Sequence, residues 1–310
     1  MNKSFLTLSG VLVVLLVIWM FVDSARDVTV KPEAFFDVDT SAIDGLIIQN
    51  NTSTIELKRS GSAWRLAQPI DYPAESRFVT DLLKKMDEMT IEHLVTHAAD
   101  KDTTYGFDTS AVQVTVLSGS EAVADFMVGK TANNNRHTYC RMVEDDAIYR
   151  VKGAFSSQLR RSQKDWRDKI ILEIDREAIV RLDYVYPEES FSLVKADTAW
   201  FMERGRTSEP TNERNVNQAG SLLSKFRSFD FLDGDSARAV NFSDPELVIT
   251  ITTNTEDTYK MTLVPQDEEG NRYLVKKDGI ENTVFVIYKG TANSMMKKSV
   301  DFKAVETEES

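Results

Sequence analysis

The sequence predicts an α+β protein: an N-terminal transmembrane helix followed by two tandem repeats, each an antiparallel sheet packed on one long helix. Three observations carry that expectation. The stretch Phe5–Val22 holds no charge over 18 residues. Apolar and polar residues alternate in runs separated by short polar turns. An amphipathic helical pattern appears once in each half of the chain.

The uncharged stretch comes first. As a helix it would be roughly 27 Å long, close to the ~30 Å hydrocarbon core of a bilayer. Trp19 lies near its outer end, where an aromatic ring suits the headgroup boundary. Lys3 precedes it and Asp23 follows it, so residues 1–4 form a cytoplasmic stub and the bulk of the chain lies outside. A cleaved leader, cut near Ser24, is the competing expectation, although its apolar core usually runs only ~7–15 residues.

The remainder reads as a repeat. Ile55-Glu56-Leu57-Lys58 aligns with Phe191-Ser192-Leu193-Val194, and Trp64 with Trp200. Val79, Leu82, Leu83, Met86 and Met89 form one helical face. Ala219, Leu222, Leu223, Phe226 and Phe229 are expected to repeat it. Val112, Val114 and Val116 alternate with Gln113 and Thr115, as Leu247, Ile249 and Ile251 do with Val248 and Thr250. Period two marks a sheet with one buried face. Tyr139 then pairs with Tyr273, and Ile148–Val151 with Val284–Ile287. Asn133-Asn134-Asn135 and Asp267–Asn271 supply turn chemistry. Strands joined by tight turns pair antiparallel. The predicted units are 43–170 and 175–303, joined through Gln158–Leu172, with a disordered acidic tail at 304–310.

Composition narrows the function classes. At 310 residues and 42% hydrophobic content the chain can bury a core without metals or disulfides. Its net charge of −12 repels phosphate backbones, so no nucleic-acid partner is expected. Cys140 is the single cysteine and reads as a small buried hydrophobe in a strand.

The search for chemistry returns little. His93 and His97 would share a face if the helix continued that far, but Leu94 stands where a zinc-peptidase motif needs Glu. Val128-Gly129-Lys130-Thr131 imitates the end of a phosphate loop, yet Ala124 replaces the required glycine and no helix pattern follows. Asp233, Asp235 and Asp244 lack calcium-loop spacing. No catalytic, cofactor-binding or metal-binding residue is assigned. One segment stands out: Arg160, Arg161, Lys164, Trp166 and Arg167 place basic residues around a tryptophan in an acidic chain. Trp and Arg dominate interface hot spots, so this is the candidate docking segment. The competing reading is a linker whose tryptophan packs while the basic heads are solvated.

Several motifs taken in order resemble a known family. They are Trp64, Leu82-Leu83, Tyr105-Gly106-Phe107-Asp108, Val128-Gly129, Tyr139 with Arg141, Ile148-Tyr149 and Trp166-Arg167-Asp168-Lys169. Together they look like the bacterial family called domain of unknown function 4340. The second half departs from the pattern, having Asn241-Phe242-Ser243-Asp244-Pro245 in place of a Tyr-Gly turn. The resemblance implies a membrane-anchored, exported protein of the bacterial inner membrane. It further implies an accessory of ABC-type transporter subunits of the kind linked to gliding motility, and carries over no catalytic residue. The expected role is binding or scaffolding without catalysis. The alternatives are an envelope enzyme acting through its carboxylates, or a secreted structural protein.

Overall fold

The computed structural model describes residues 33–35, 38–267 and 269–304. The expected stub at 1–4, the transmembrane helix at 5–22 and nearly all of the tail at 304–310 lie outside them. No helix among the described residues is long and apolar enough to cross a membrane. The chain divides into two compact units, one ending at Gln163 and the next beginning at Lys164.

The architecture corrects the α+β expectation. Each unit is built on a nine-stranded antiparallel sheet, and among the described residues its longest helix has only 12 residues. The fold is mostly β. Neither repeat is a sheet balanced by a long helix, and no transmembrane helix is part of the described structure.

In unit 1 the strands are β1 (Gly45–Gln49), β2 (Thr54–Ser60), β3 (Ala63–Gln68), β4 (Tyr72–Pro73), β5 (Ile91–Thr96), β6 (Val112–Ser118), β7 (Glu121–Thr131), β8 (His137–Met142) and β9 (Ile148–Lys152). Their order across the sheet is β4-β3-β2-β1-β6-β7-β8-β9-β5. Val112, Val114 and Val116 are buried while Gln113 and Thr115 are only half-buried, which is the alternation of a strand with one core face. Ile48 lies opposite Val114 and Leu46 opposite Val116 across the β1–β6 pair. Helix α1 (Ser76–Asp87) lays Val79, Leu82, Leu83 and Met86 on the core. Its first residue is tied to the sheet, because the Trp64 backbone N–H donates to the Ser76 hydroxyl at 3.0 Å. Cys140 is wholly buried, and desolvation raises the pKa of its thiol.

Unit 2 holds β11 (Ile179–Val185), β12 (Ser190–Ala196), β13 (Ala199–Arg204), β14 (Thr207–Pro210), β16 (Asp230–Asp233), β17 (Leu247–Thr253), β18 (Thr258–Pro265), β19 (Arg272–Lys277) and β20 (Thr283–Tyr288). They run in the order β14-β13-β12-β11-β17-β18-β19-β20-β16, which matches unit 1 strand for strand. A separate two-stranded ladder joins β10 (Ile170–Glu173) to β15 (Lys225–Arg227). The local chemistry repeats as well. The β2–β3 turn holds Gly61 at φ +62°, and the β12–β13 turn holds Asp197 at φ +53°. Asp is one of the few side chains that tolerates this left-handed region.

Two corrections concern helix boundaries. The helix expected to carry His93 and His97 stops at Asp87, and Ile91–Thr96 is edge strand β5. The β-branched Thr90, Ile91, Val95 and Thr96 favour that outcome. In unit 2 the helix Glu213–Ser224 buries Val216, Ala219, Gly220 and Leu223. The repeat offset here is 137, from Ser76 to Glu213 and from Asp87 to Ser224, not the 140 expected. Phe226 therefore falls on β15, and Phe229 falls in the turn beyond it, 39% exposed. Leu223→Ala should cost about 2–5 kcal/mol in urea unfolding, whereas Phe229→Ala should stay within roughly 1 kcal/mol; equal losses would restore the longer helical face.

Candidate functional site

Three of the family-like motifs of unit 1, Tyr105–Asp108, Val128-Gly129 and Tyr139 with Arg141, are far apart in sequence and meet over β7 and β8. Helix α2 (Asp102–Tyr105) is a single turn that stops at Gly106, whose φ of +79° is the left-handed conformation common after a helix. Gly129 on β7 lies beneath that turn. A Cβ there would stand 2.2 Å from the Tyr105 carbonyl oxygen, so only glycine permits the approach. The Tyr105 ring rests on Tyr139 of β8, with ring centroids 4.7 Å apart. Two positions along β8, Arg141 donates to both Asp102 carboxylate oxygens, at 3.0 and 3.2 Å. Its guanidinium also lies 5.0 Å from the Phe107 ring centre. The motifs form a clasp that fastens the α2 turn across β7 and β8.

The same face continues to the sheet edge. Tyr139 lies opposite Arg150 of β9. The Arg150 Nε lies 2.7 Å from a Glu92 carboxylate oxygen on β5, and His137 Nε2 is 3.3 Å from the same oxygen. The other ring nitrogen of His137 is 2.8 Å from the Asn134 side-chain nitrogen. This group was not anticipated from sequence. Glu92, His137 and Arg150 share no local spacing, and only the strand order β8-β9-β5 brings them together. Tyr105, Tyr139, Arg141 and Arg150 are all partly exposed. The result is a pair of tyrosines flanked by two guanidiniums, each held by a carboxylate.

The basic segment singled out by composition is divided between the two units. In unit 1, Arg160 is exposed, and it donates to the Ser110 carbonyl at 2.6 Å and to the Ser156 hydroxyl. Arg161 stacks over the Phe78 ring of α1 at 4.0 Å. In unit 2, Lys164 reaches Asp230 at 2.9 Å. Trp166 and Arg167 are wholly buried. Arg167 pairs with Asp233 at 2.7 Å and lies 3.8 Å over the Phe231 ring. A buried guanidinium must be both paired and hydrogen-bonded, and Thr283 adds a further contact at 3.4 Å. Trp166 and Arg167 thus serve the interior of unit 2.

Asp230 has a direction of titration that follows from this arrangement. Partial burial works against its charge, yet the Lys164 side chain, the Phe231 N–H and the Lys164 and Lys169 charges together hold it below the usual carboxylate range. Among the described residues, no group of three or more His, Cys, Asp or Glu side chains could hold a metal ion.

A family model described as Domain of unknown function (DUF4340) matches residues 64–245. The match starts at Trp64 on β3 and takes in the whole clasp, the Arg167–Asp233 pair and the segment Asn241–Pro245. No curated protein matches the chain.

Three changes test these contacts. Gly129→Ala should destabilise the protein by about 1–3 kcal/mol, because the new methyl meets backbone that cannot yield; an unchanged melting curve would contradict the close approach. Arg167→Ala should cost about 3–5 kcal/mol by stranding Asp233. For Asp230 the folded pKa is depressed, so its contribution is present above the unfolded value and disappears as pH falls through the folded one. Asp230→Asn should therefore be less stable than the parent at pH 7, and the two should converge in acid-unfolding curves as the pH falls through the range in which the folded Asp230 is protonated.

Proposed function

The chain belongs to the Domain of unknown function (DUF4340) family, and from that premise we propose that it is a non-catalytic scaffold held at the bacterial inner membrane. Residues 5–22 would attach it there, leaving the two sheet units on the periplasmic side. Its partner would be a subunit of an ABC-type transporter system. The uncharged leader and the position of Lys3 support the placement.

One observation carries the binding role: the face of unit 1 formed by Tyr105, Tyr139, Arg141 and Arg150. Tyrosine and arginine supply most hot-spot energy at protein interfaces. Here Asp102 and Glu92 already fix the two guanidiniums, so docking would spend little side-chain entropy on ordering them. The residues of the family-like motifs support this reading too. Gly129, Phe107 and Trp166 are engaged in packing, and Arg141 and Arg167 in ion pairs, which is what a presented scaffold requires.

The intact protein, purified from membranes under conditions that preserve assemblies, should bring a transporter subunit with it. Tyr139→Ala should lower that recovery by about tenfold or more while circular dichroism remains that of the folded protein. Recovery without any transporter subunit, or recovery indifferent to Tyr139, would defeat the proposal.

A further inference from the structure

The two units differ most on the face that carries the clasp. In unit 1, Tyr139 lies opposite Arg150. In unit 2 the strand order and register place Leu274 opposite Val286 at the corresponding pair, and Val264 opposite Leu274. Val264, Leu274, Val284 and Val286 form a buried apolar cluster with Ala237. Its cover is slight. The short helix Gly234–Arg238 contributes only the methyl of Ala237, and the chain beyond it adds Val240 and Phe242.

That cover leaves an open cavity of about 350 Å³. Ala237, Val240, Phe242, Ile280 and Val284 give it apolar walls. Arg238 and Lys276 are cationic groups on its rim, and Glu281 is the single anionic one. The Arg238 guanidinium is held in place from behind. It donates to Asn282 Oδ1 at 3.1 Å and to the highly exposed Asp235 at 2.5 Å. An arginine has five N–H donors in a planar fork, so these two contacts leave donors for another acceptor. The lining holds two cations and one anion, and Asp235 outside it offsets Arg238, so Lys276 is the cation that no carboxylate among the described residues neutralises.

We propose that this cavity binds a small amphiphile with an anionic head, a medium-chain alkyl carboxylate. The alkyl chain would lie on Val240, Phe242 and Val284, and the carboxylate would sit between Arg238 and Lys276. The volume is at the lower end of small-molecule sites, which suits a single short chain and excludes a bulky polycyclic ligand. Apolar walls with a few convergent polar groups are the usual composition of such a site. The head is anionic because a planar guanidinium recognises a carboxylate with two parallel hydrogen bonds.

Sodium octanoate titrated into the full-length protein by calorimetry tests the assignment. Octanoate should bind saturably at one site. Hexanoate, two methylenes shorter, should bind about tenfold more weakly. Octylammonium, with the head charge reversed, should be at least about tenfold weaker. Lys276→Glu lies at an exposed position and should lower octanoate affinity about tenfold with the melting temperature unchanged. Val240→Trp, which fills the cavity, should abolish binding. Absence of saturable binding, equal binding of octylammonium, or affinity unaltered by Lys276→Glu would each overturn the proposal. The charge and chain-length comparisons use the unmodified protein, so they decide the matter even if Val240→Trp fails to fold.

Discussion

Both units depend on one antiparallel pairing at the middle of the sheet, β1 with β6 and β11 with β17. These pairs join strands that have a helix and several strands between them in sequence, so the chain must close a long loop before the pair can form. Parity then decides everything else. A slip of one residue would turn Val112, Val114 and Val116 away from the core and bring Gln113 and Thr115 into it. Ile249 and Ile251 hold the same position in unit 2, opposite Tyr184 and Leu182. Once this register is set, the neighbouring hairpins add outward, the edge strands close on β9 and β20, and the 12-residue helix of each unit has a face to cover.

A shared strand order leaves the second face of each sheet free to differ. In unit 1 that face is polar and aromatic, and its charges are neutralised in pairs by Asp102 and Glu92. In unit 2 the end of that face on β18–β20 is aliphatic, and a five-residue helix with its following loop shields it. The difference begins with a few residues: Tyr139 and Arg150 in one unit, Leu274 and Val286 in the other. The same backbone thus carries a polar, aromatic surface in one half and a small apolar recess in the other. Two copies of one architecture can thus carry unlike surfaces without any change in the core.

Local patterns in the sequence were legible and long-range ones were not. Trp64 and Trp200 fall on β3 and β13, and the valine and isoleucine alternation marks β6 and β17, because a two-residue period is written in adjacent positions. The helical face of unit 1 was also readable from Val79 to Met86, although Met89, which continues the spacing, is buried beyond the helix end at Asp87. Its counterpart was displaced by three residues, since Phe226 and Phe229 continue an apparent helical spacing after the backbone has left the helix. The fold class went astray because two-residue and four-residue strands such as β4 and β14 carry no periodic signal and become strands only through their partners. The surroundings of the basic segment were not legible for a related reason. Basic composition drew attention to Arg160–Arg167, but whether a guanidinium faces water or a buried carboxylate depends on Asp233, far along the chain. The Glu92, His137 and Arg150 group joins three different strands and has no linear signature.

Cys140 sits at the centre of β8 with no solvent exposure, and it is the only thiol in the chain. Its neighbours on either side are Val128 and Tyr149, so alkylating reagents can reach it only when the ladder around it parts. The molecule therefore contains a native reporter of opening that sits in one repeat alone. The pace of thiol capture would read the breathing of the first half without an introduced label, while the second half stays silent in the same measurement.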